Sequence, residues 1–487
     1  MCSRRYRLLG FSVRRRSRFL IPLALALLVA GTTWIAFPLR AAPGGPISAA
    51  PGIATVELQS PANATTISAA YWGVNVAAAQ PFGLSDARAV VATPVNYLVY
   101  PSGVLAEELN YTSGVLTAPN GTSTPAATTV AQFVTACESM HCRAILGLPT
   151  EINSPATAAD YANYVVHTLG FQPAYWQIGN APASWTHFNV PWSEWPTTGG
   201  GNTTPQPFAD IVHTYIAAIR SVDPTGLFLA LGAETGPPQY DRAWISALVA
   251  TDGLELSGIS VHSYVLGGPS SPTDAQLFAE LHGAYSLPAQ VLADRSDIVR
   301  ACACQNLPLF VTEANGAELS DFMPLLSTFA GTLYLAAEVT QGLGLSLTNL
   351  DWFSYDSAYP GSWSTSPGVW QSQYYLFSDL LPLLGNESLP LNGTGPPTFF
   401  TAATLGSGGL ALLLVNVNTT APVQVALGGP EFAGVAIAHE YYWGGASRQP
   451  VESTAPWTGN LTLGPESLAL LLVNAGAGPM NLSSAWP

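Results

Sequence analysis

The chain has 487 residues, of which 48% are hydrophobic and only 9% charged, with a formal net charge of −15. That length and apolar content suit a barrel-sized domain with a smaller companion and argue against a disordered chain. All 15 basic residues are Arg and eight of them precede residue 41, so the remainder sets seven Arg against 30 Asp and Glu; this formal −23 argues against a nucleic-acid partner. Charges this sparse do not make a salt-adapted acidic coat, and they leave the surface to Ser, Thr and Asn. Few carboxylates to protonate would also suit an acidic exterior.

Residues 1–40 read as a signal peptide or signal anchor. Seven Arg precede an apolar run from Phe19 to Phe37, which places the positive flank inside. The run exceeds the roughly 7–15 residues of a signal-peptide core and approaches the roughly 20 of a spanning helix, which favours an uncleaved anchor. Pro22, Gly31 and the Ala41-Ala42-Pro43 that follows keep cleavage open. The expected location is therefore extracellular, secreted or anchored to the outer face of a membrane through this segment. Nine Asn-X-Ser/Thr sequons lie beyond it, at Asn63, Asn110, Asn120, Asn202, Asn386, Asn392, Asn418, Asn460 and Asn481, as an exported glycoprotein would have them. Cys137, Cys142, Cys302 and Cys304 form an even exported set, for which local pairing within each couple is the simplest of three disulfide connectivities. No second CxxC or His pair accompanies them, so neither a metal nor any other cofactor is expected.

Residues 41–53, rich in Ala, Pro and Gly, read as a linker. From 54 to 365 short apolar runs alternate with segments of helical spacing. The runs lie at 71–77, 96–100, 143–149, 174–179, 227–233, 258–264, 307–312 and 346–355, and the helical segments include 127–137, 158–169, 208–221 and 320–340. Eight such units predict an α/β fold, a (β/α)8 TIM barrel. An open doubly wound sheet is the competitor, but it would normally carry a glycine-rich phosphate loop, and none is present. Residues 366–487 turn β-rich, with runs at 410–416, 422–427, 439–443 and 468–474, and predict a C-terminal all-β sandwich to which 54–60 can add a strand. The heptapeptide LALLLVN occurs twice in this part.

In a parallel barrel the chemistry lies at the carboxyl ends of the strands. Strand four closes in Gly179-Asn180-Ala181, strand six in His262-Ser263-Tyr264 and strand seven in Thr312-Glu313-Ala314-Asn315, while strands three and five close in Glu151 and Glu234. A carboxylate directly after LPLFVT is costly unless it faces a solvated, hydrogen-bonded site, which makes Glu313 the candidate nucleophile over a loop-capping acid. His262 and Tyr264 stand two apart and point to one side of the sheet at the same end of the barrel.

Three stretches, WQIGNAP at 176–182, VHSYVLGG at 261–268 and VTEAN at 311–315, resemble the catalytic strands of clan A glycoside hydrolases. The resemblance is closest to family 79, which contains heparanases and β-glucuronidases, and it covers most of 54–487. It implies retaining hydrolysis of β-linked uronides, with Glu313 as nucleophile, Asn180 holding the sugar 2-hydroxyl, Tyr264 orienting Glu313 and His262 lining the same subsite. The acid/base Glu that the family places after the Asn is here Ala181. A methyl group cannot protonate a leaving oxygen, and losing a general acid costs about 10²–10⁴-fold. Retaining hydrolysis also calls for two carboxyls about 5–5.5 Å apart. Glu151, Glu194 and Glu234 are the possible substitutes, although each also reads as a structural or surface acid. Glu318, close behind the nucleophile, would repel a uronate, so glucuronide specificity is not carried over.

Trp185, Trp192 and Trp195 follow strand four and suit stacking on sugar rings, or the packing of a long loop. The sequence thus predicts a β-glycoside hydrolase with a non-standard acid, acting on extracellular or cell-surface carbohydrate. A non-catalytic carbohydrate-binding protein on the same barrel is the alternative, and a glycosylated surface protein that binds no glycan is the blandest reading.

Overall fold

The computed structural model describes residues 52–59, 61–118, 121–150, 154–180, 182, 204–233, 238–265, 269, 271–301, 307–316, 322–355, 360–366, 369–428, 432, 436–444, 449–453 and 460–474. Eight strands close into a parallel barrel: β1 (Trp72–Asn75), β2 (Tyr97–Tyr100), β3 (Arg143–Leu148), β4 (Tyr175–Ile178), β5 (Phe228–Ala233), β6 (Gly258–Ser263), β7 (Leu309–Ala314) and β8 (Asn349–Trp352). Each pairs with the next, and β8 returns to β1 through Leu350 opposite Trp72. Every one of the eight apolar runs is a barrel strand. They read as continuous because a strand in a parallel barrel is buried on both faces.

Alternate strand residues have different partners. Trp72, Val74, Leu98, Leu146, Ile178, Ile259, Val261 and Leu350 join the large core under the helices, whereas Tyr97, Val99, Ile145, Leu229 and Phe310 form a separate apolar cluster inside the barrel. The rest of the strand interior is polar: Asn75, Gln177, Ser260, Thr312, Asn349 and Asp351 are all buried. Gly73 makes room for Asp351, since a Cβ at Gly73 would lie 1.6 Å from its Oδ1.

The helices lie where the spacing placed them, with one correction. The segment expected as a single helix over 320–340 is two, Met323–Leu326 and Phe329–Leu343. Thr328 breaks it by capping the second, its hydroxyl accepting from the Ala330 backbone N–H at 3.2 Å. The helical stretch 372–383 lies beyond residue 365 and packs on the barrel, Phe377 meeting Trp72 at 6.3 Å between ring centroids.

The C-terminal part is a sandwich. Its four-stranded sheet runs Leu391–Thr394, Gly52–Leu58, Val423–Gly428, Asn460–Leu463, so the strand that precedes the barrel is built into this sheet. The seven-stranded sheet contains Phe399–Gly406, Gly409–Asn416, Ser467–Asn474 and Ala436–Gly444 in that order. The two LALLLVN copies are antiparallel neighbours, Leu413 opposite Leu470. Leu410, Leu412 and Leu414 face the sandwich core, whereas Ala411, Leu413 and Val415 join the barrel's helical layer. Burial on both faces explains why these strands are apolar without alternation.

Cys137 and Cys142 are joined by a disulfide; Cys302 and Cys304 lie outside the described residues. Asn63, Asn110, Asn386, Asn392 and Asn460 are exposed, whereas Asn418 is buried and its Oδ1 accepts from the Thr420 and Ala421 backbone N–H groups. Among the described residues no helix is long and apolar enough to cross a membrane. The Phe19–Phe37 run lies outside them.

Candidate active site

Glu313 reaches the barrel mouth through a break in strand register. Val311 stands opposite Val261 and Leu350, but the next pairs are Glu313 with His262 and Ala314 with Trp352. Thr312 is therefore an extra residue, a β-bulge in β7. Strict alternation from the inward Phe310 would turn Glu313 out into the helical layer; the bulge re-aims it inward. The same bulge turns the Thr312 carbonyl towards Asn75, whose Nδ2 donates to it at 2.8 Å.

Around Glu313 the expected groups come together. The Tyr264 hydroxyl donates to Glu313 Oε2 at 2.7 Å, and His262 Nδ1 stands 3.5 Å from the same oxygen, too long for a good hydrogen bond. All three residues are buried. Burial pushes the His262 imidazole down to about 3, so it is neutral across the ordinary pH range and gives Glu313 no cationic partner. Its Nε2 is buried without a partner among the described residues. Tyr264 is itself held edge-on between His262 and Phe353, with ring centroids 6.3 and 6.1 Å away. Asn315 ties the ends of two strands by donating through Nδ2 to the Phe353 carbonyl. A carboxylate fixed by a tyrosine beside a neutral imidazole suits nucleophilic attack more than proton donation.

At the end of β4, Gly179 takes φ +80°, and a Cβ there would lie 2.7 Å from Phe208. This left-handed turn, open to glycine, swings the chain so that Asn180 is buried at the barrel mouth. The Asn180 backbone N–H donates to Glu107 Oε1 at 2.8 Å. Glu107, on the helix Leu105–Glu108 after β2, also accepts from the Thr150 backbone N–H at 2.6 Å and the Thr150 hydroxyl at 2.9 Å. One buried carboxylate thus joins the segments that follow β2, β3 and β4.

Ala181 lies outside the described residues, as do Glu151, Glu194, Glu234, Glu318, Trp185, Trp192 and Trp195. Among the described residues no group of three His, Cys, Asp or Glu could hold a metal ion.

Sequence reasoning missed three polar residues of this region: Asn75, Glu107 and Asp351. Asn75 lies inside the first apolar run, at 71–77, and Asp351 is a carboxylate inside the last, at 346–355, a signal close to the one that singled out Glu313 directly after its run. Asp351 sits beside the bulge, its Oδ2 accepting from Asn349 Nδ2 at 2.7 Å. Burial, with the Glu313 charge a smaller cause, pushes its carboxyl well above the usual carboxylate range. Glu107 carried no such signal.

No protein-family model matches the sequence, and no curated protein matches it. Solved structures match the fold. A family 51 arabinofuranosidase from Xanthomonas axonopodis pv. citri aligns over 87% of this chain and 100% of its own, with a TM-score of 0.68 at 15% identity. An α-L-arabinofuranosidase from Thermotoga maritima, solved with arabinose, aligns over 86% and 99%, with a TM-score of 0.66 at 12% identity. A family 44 xyloglucanase from Paenibacillus polymyxa, solved with xyloglucan, aligns over 87% and 100%, with a TM-score of 0.65 at 12% identity. The chain has a glycoside-hydrolase-like fold, a TIM barrel with an appended β-sandwich.

Proposed function

We propose that the protein is a β-glycoside hydrolase acting with retention on extracellular or cell-surface carbohydrate, with Glu313 as its nucleophile. The observation that carries this reading is Glu313 at the carboxyl end of β7, held by the Tyr264 hydroxyl at 2.7 Å. In the reaction a Glu313 oxygen attacks the anomeric carbon as the bond to the aglycone oxygen breaks, giving a glycosyl ester. Water then attacks the same carbon and releases Glu313. With Ala181 in the acid position, the departing oxygen takes its proton from a non-standard acid or from the medium, so activated leaving groups react best. The likeness of 176–182, 261–268 and 311–315 to family 79 supports Asn180 as the 2-hydroxyl contact. Export through the N-terminal segment belongs to the same reading.

The test is covalent trapping. The full chain is incubated with a panel of activated 2-deoxy-2-fluoro β-glycosides, and adducts are mapped by peptide mass spectrometry. A glycosyl adduct on Glu313, lost in Glu313→Gln, is expected, and the sugar that reacts names the substrate class. A folded chain that binds glycan and forms no adduct with any member would replace this reading with the second one, a carbohydrate-binding pseudoenzyme. Ala181 is the feature that favours that alternative.

A further inference from the structure

Glu107 has no place in the reading above, yet it is a buried carboxylate at the barrel mouth, touching the residue that follows Gly179. Removing a charge from water is unfavourable unless its lone pairs are well met, and here three donors converge on it, two from Thr150 and one from Asn180. Those donors stand 43 and 73 residues away in sequence, on the segments that leave β3 and β4. The Asn180 contact is to the backbone N–H, so Glu107 sets where the main chain runs at this position while the side chain keeps its own contacts. Gly179 supplies the turn and Glu107 fixes where it ends.

We propose that Glu107 is a positioning residue of the sugar subsite: it clamps the Asn180 main chain and so aims the Asn180 side chain at the 2-hydroxyl of the bound glycoside. This inference rests on the reading of Glu313 as nucleophile and Asn180 as the 2-hydroxyl contact. With three donors directed at it, the carboxylate accepts and does not donate, so Glu107 orients its neighbour and does not supply the leaving group's proton. The clamp acts only on glycosides that carry a free 2-hydroxyl, because only there does the Asn180 side chain have a partner to meet.

That condition gives a test that a merely structural role would not pass. Two rates are compared for the full chain and for Glu107→Gln, Thr150→Val and Asn180→Ala. One is the burst of dinitrophenolate from a 2,4-dinitrophenyl β-glycoside with its 2-hydroxyl. The other is covalent trapping by the matching 2-fluoro sugar, which has no hydroxyl to hold. The expected result is a loss of about 10–100-fold in the burst for Glu107→Gln and Asn180→Ala, with trapping changed less than about threefold. Thr150→Val, which removes one donor and keeps the carboxylate, shows a smaller loss with the same selectivity and carries the test if Glu107→Gln does not fold. Equal losses on both sugars would mean that Glu107 only holds the loops together, and no loss on either would mean that Asn180 keeps its place without it; each overturns the proposal. A wild-type chain that reacts with neither sugar would overturn the nucleophile reading itself, and the clamp with it.

Discussion

Acidifying this protein should stabilise it, against the usual trend for a chain rich in carboxylates. Asp294, on the helix Leu287–Ala301, is 1% exposed; burial first, and the neighbouring Asp297 second, push its carboxyl up to about 8. Asp297 is itself held by Arg242 at 3.0 Å and Arg300 at 3.3 Å, whereas Asp294 Oδ1 has no partner among the described residues. Glu338, on Phe329–Leu343, is 2% exposed among Trp72, Trp352 and Phe377, and burial pushes it up to about 8 as well. Both groups keep their proton on folding and lose it on unfolding. Their stabilisation is therefore fully present below the unfolded carboxylate values, near 4, and is lost as pH rises towards 8. His262 acts in the opposite sense. Its folded value of about 3 lies below the unfolded 6.5, so its contribution is present above 6.5 and is lost as pH falls towards 3.

Each proton is linked to about 1.4 kcal/mol per pH unit, so going from about pH 7.5 to about pH 5 gains roughly 3 kcal/mol at each acid and loses roughly 2 kcal/mol at His262. The net of these three groups is about 4 kcal/mol in favour of pH 5, with the raised carboxyls of Asp351, Glu108 and Glu466 acting in the same direction; at about 1 °C per kcal/mol for a chain of this size, the three give on the order of 4 °C in melting temperature. Calorimetry across that range measures it. Asp294→Asn and Glu338→Gln should each flatten the profile by about its own share, and His262→Asn should steepen it between about pH 6.5 and 5. A wild-type melting temperature that falls on acidification, or a profile that neither acid variant alters, would refute the assignment of these acids as neutral in the folded chain.

Two further substitutions probe the barrel mouth. Tyr264→Phe removes a 2.7 Å hydrogen bond to a buried carboxylate, worth about 1.5–3 kcal/mol, and should slow trapping at Glu313 by roughly 10–100-fold, read as the rate of adduct formation. Gly179→Ala places a Cβ 2.7 Å from Phe208 at φ +80°, and should lower stability in denaturant melts by about 1–3 kcal/mol while displacing Asn180.

The architecture was legible because burial on two faces writes itself into composition: the eight barrel runs and the paired LALLLVN segments are predominantly apolar and lack a regular alternation. That same uniformity hides register. Nothing in LPLFVTEA says that Thr312 is the extra residue, because a run without alternation has no phase from which a bulge could be read. Yet the bulge decides whether Glu313 faces the mouth or the helices. The split at Thr328 was hidden in a similar way, since a capping threonine between two apolar turns reads as one more helical residue.

Glu313 announced itself at the end of its apolar run because a buried carboxylate is costly unless it is met by partners, and Asp351, inside another run, carried the same signal unread. That cost has more than one remedy, and which remedy applies is a property of neighbours distant in sequence. Glu313 is met by Tyr264, just past the end of the adjacent strand; Asp351, whose carboxyl burial pushes well above the usual range, is met by Asn349 and lies over Gly73, which has no side chain to obstruct it. Glu107 lies on a short helix in LAEELN, where an acid reads as solvated surface. Its role exists only once Thr150 and Asn180 arrive from two other strands. Such a residue is invisible to any local reading, because every group that gives it meaning belongs to another part of the chain.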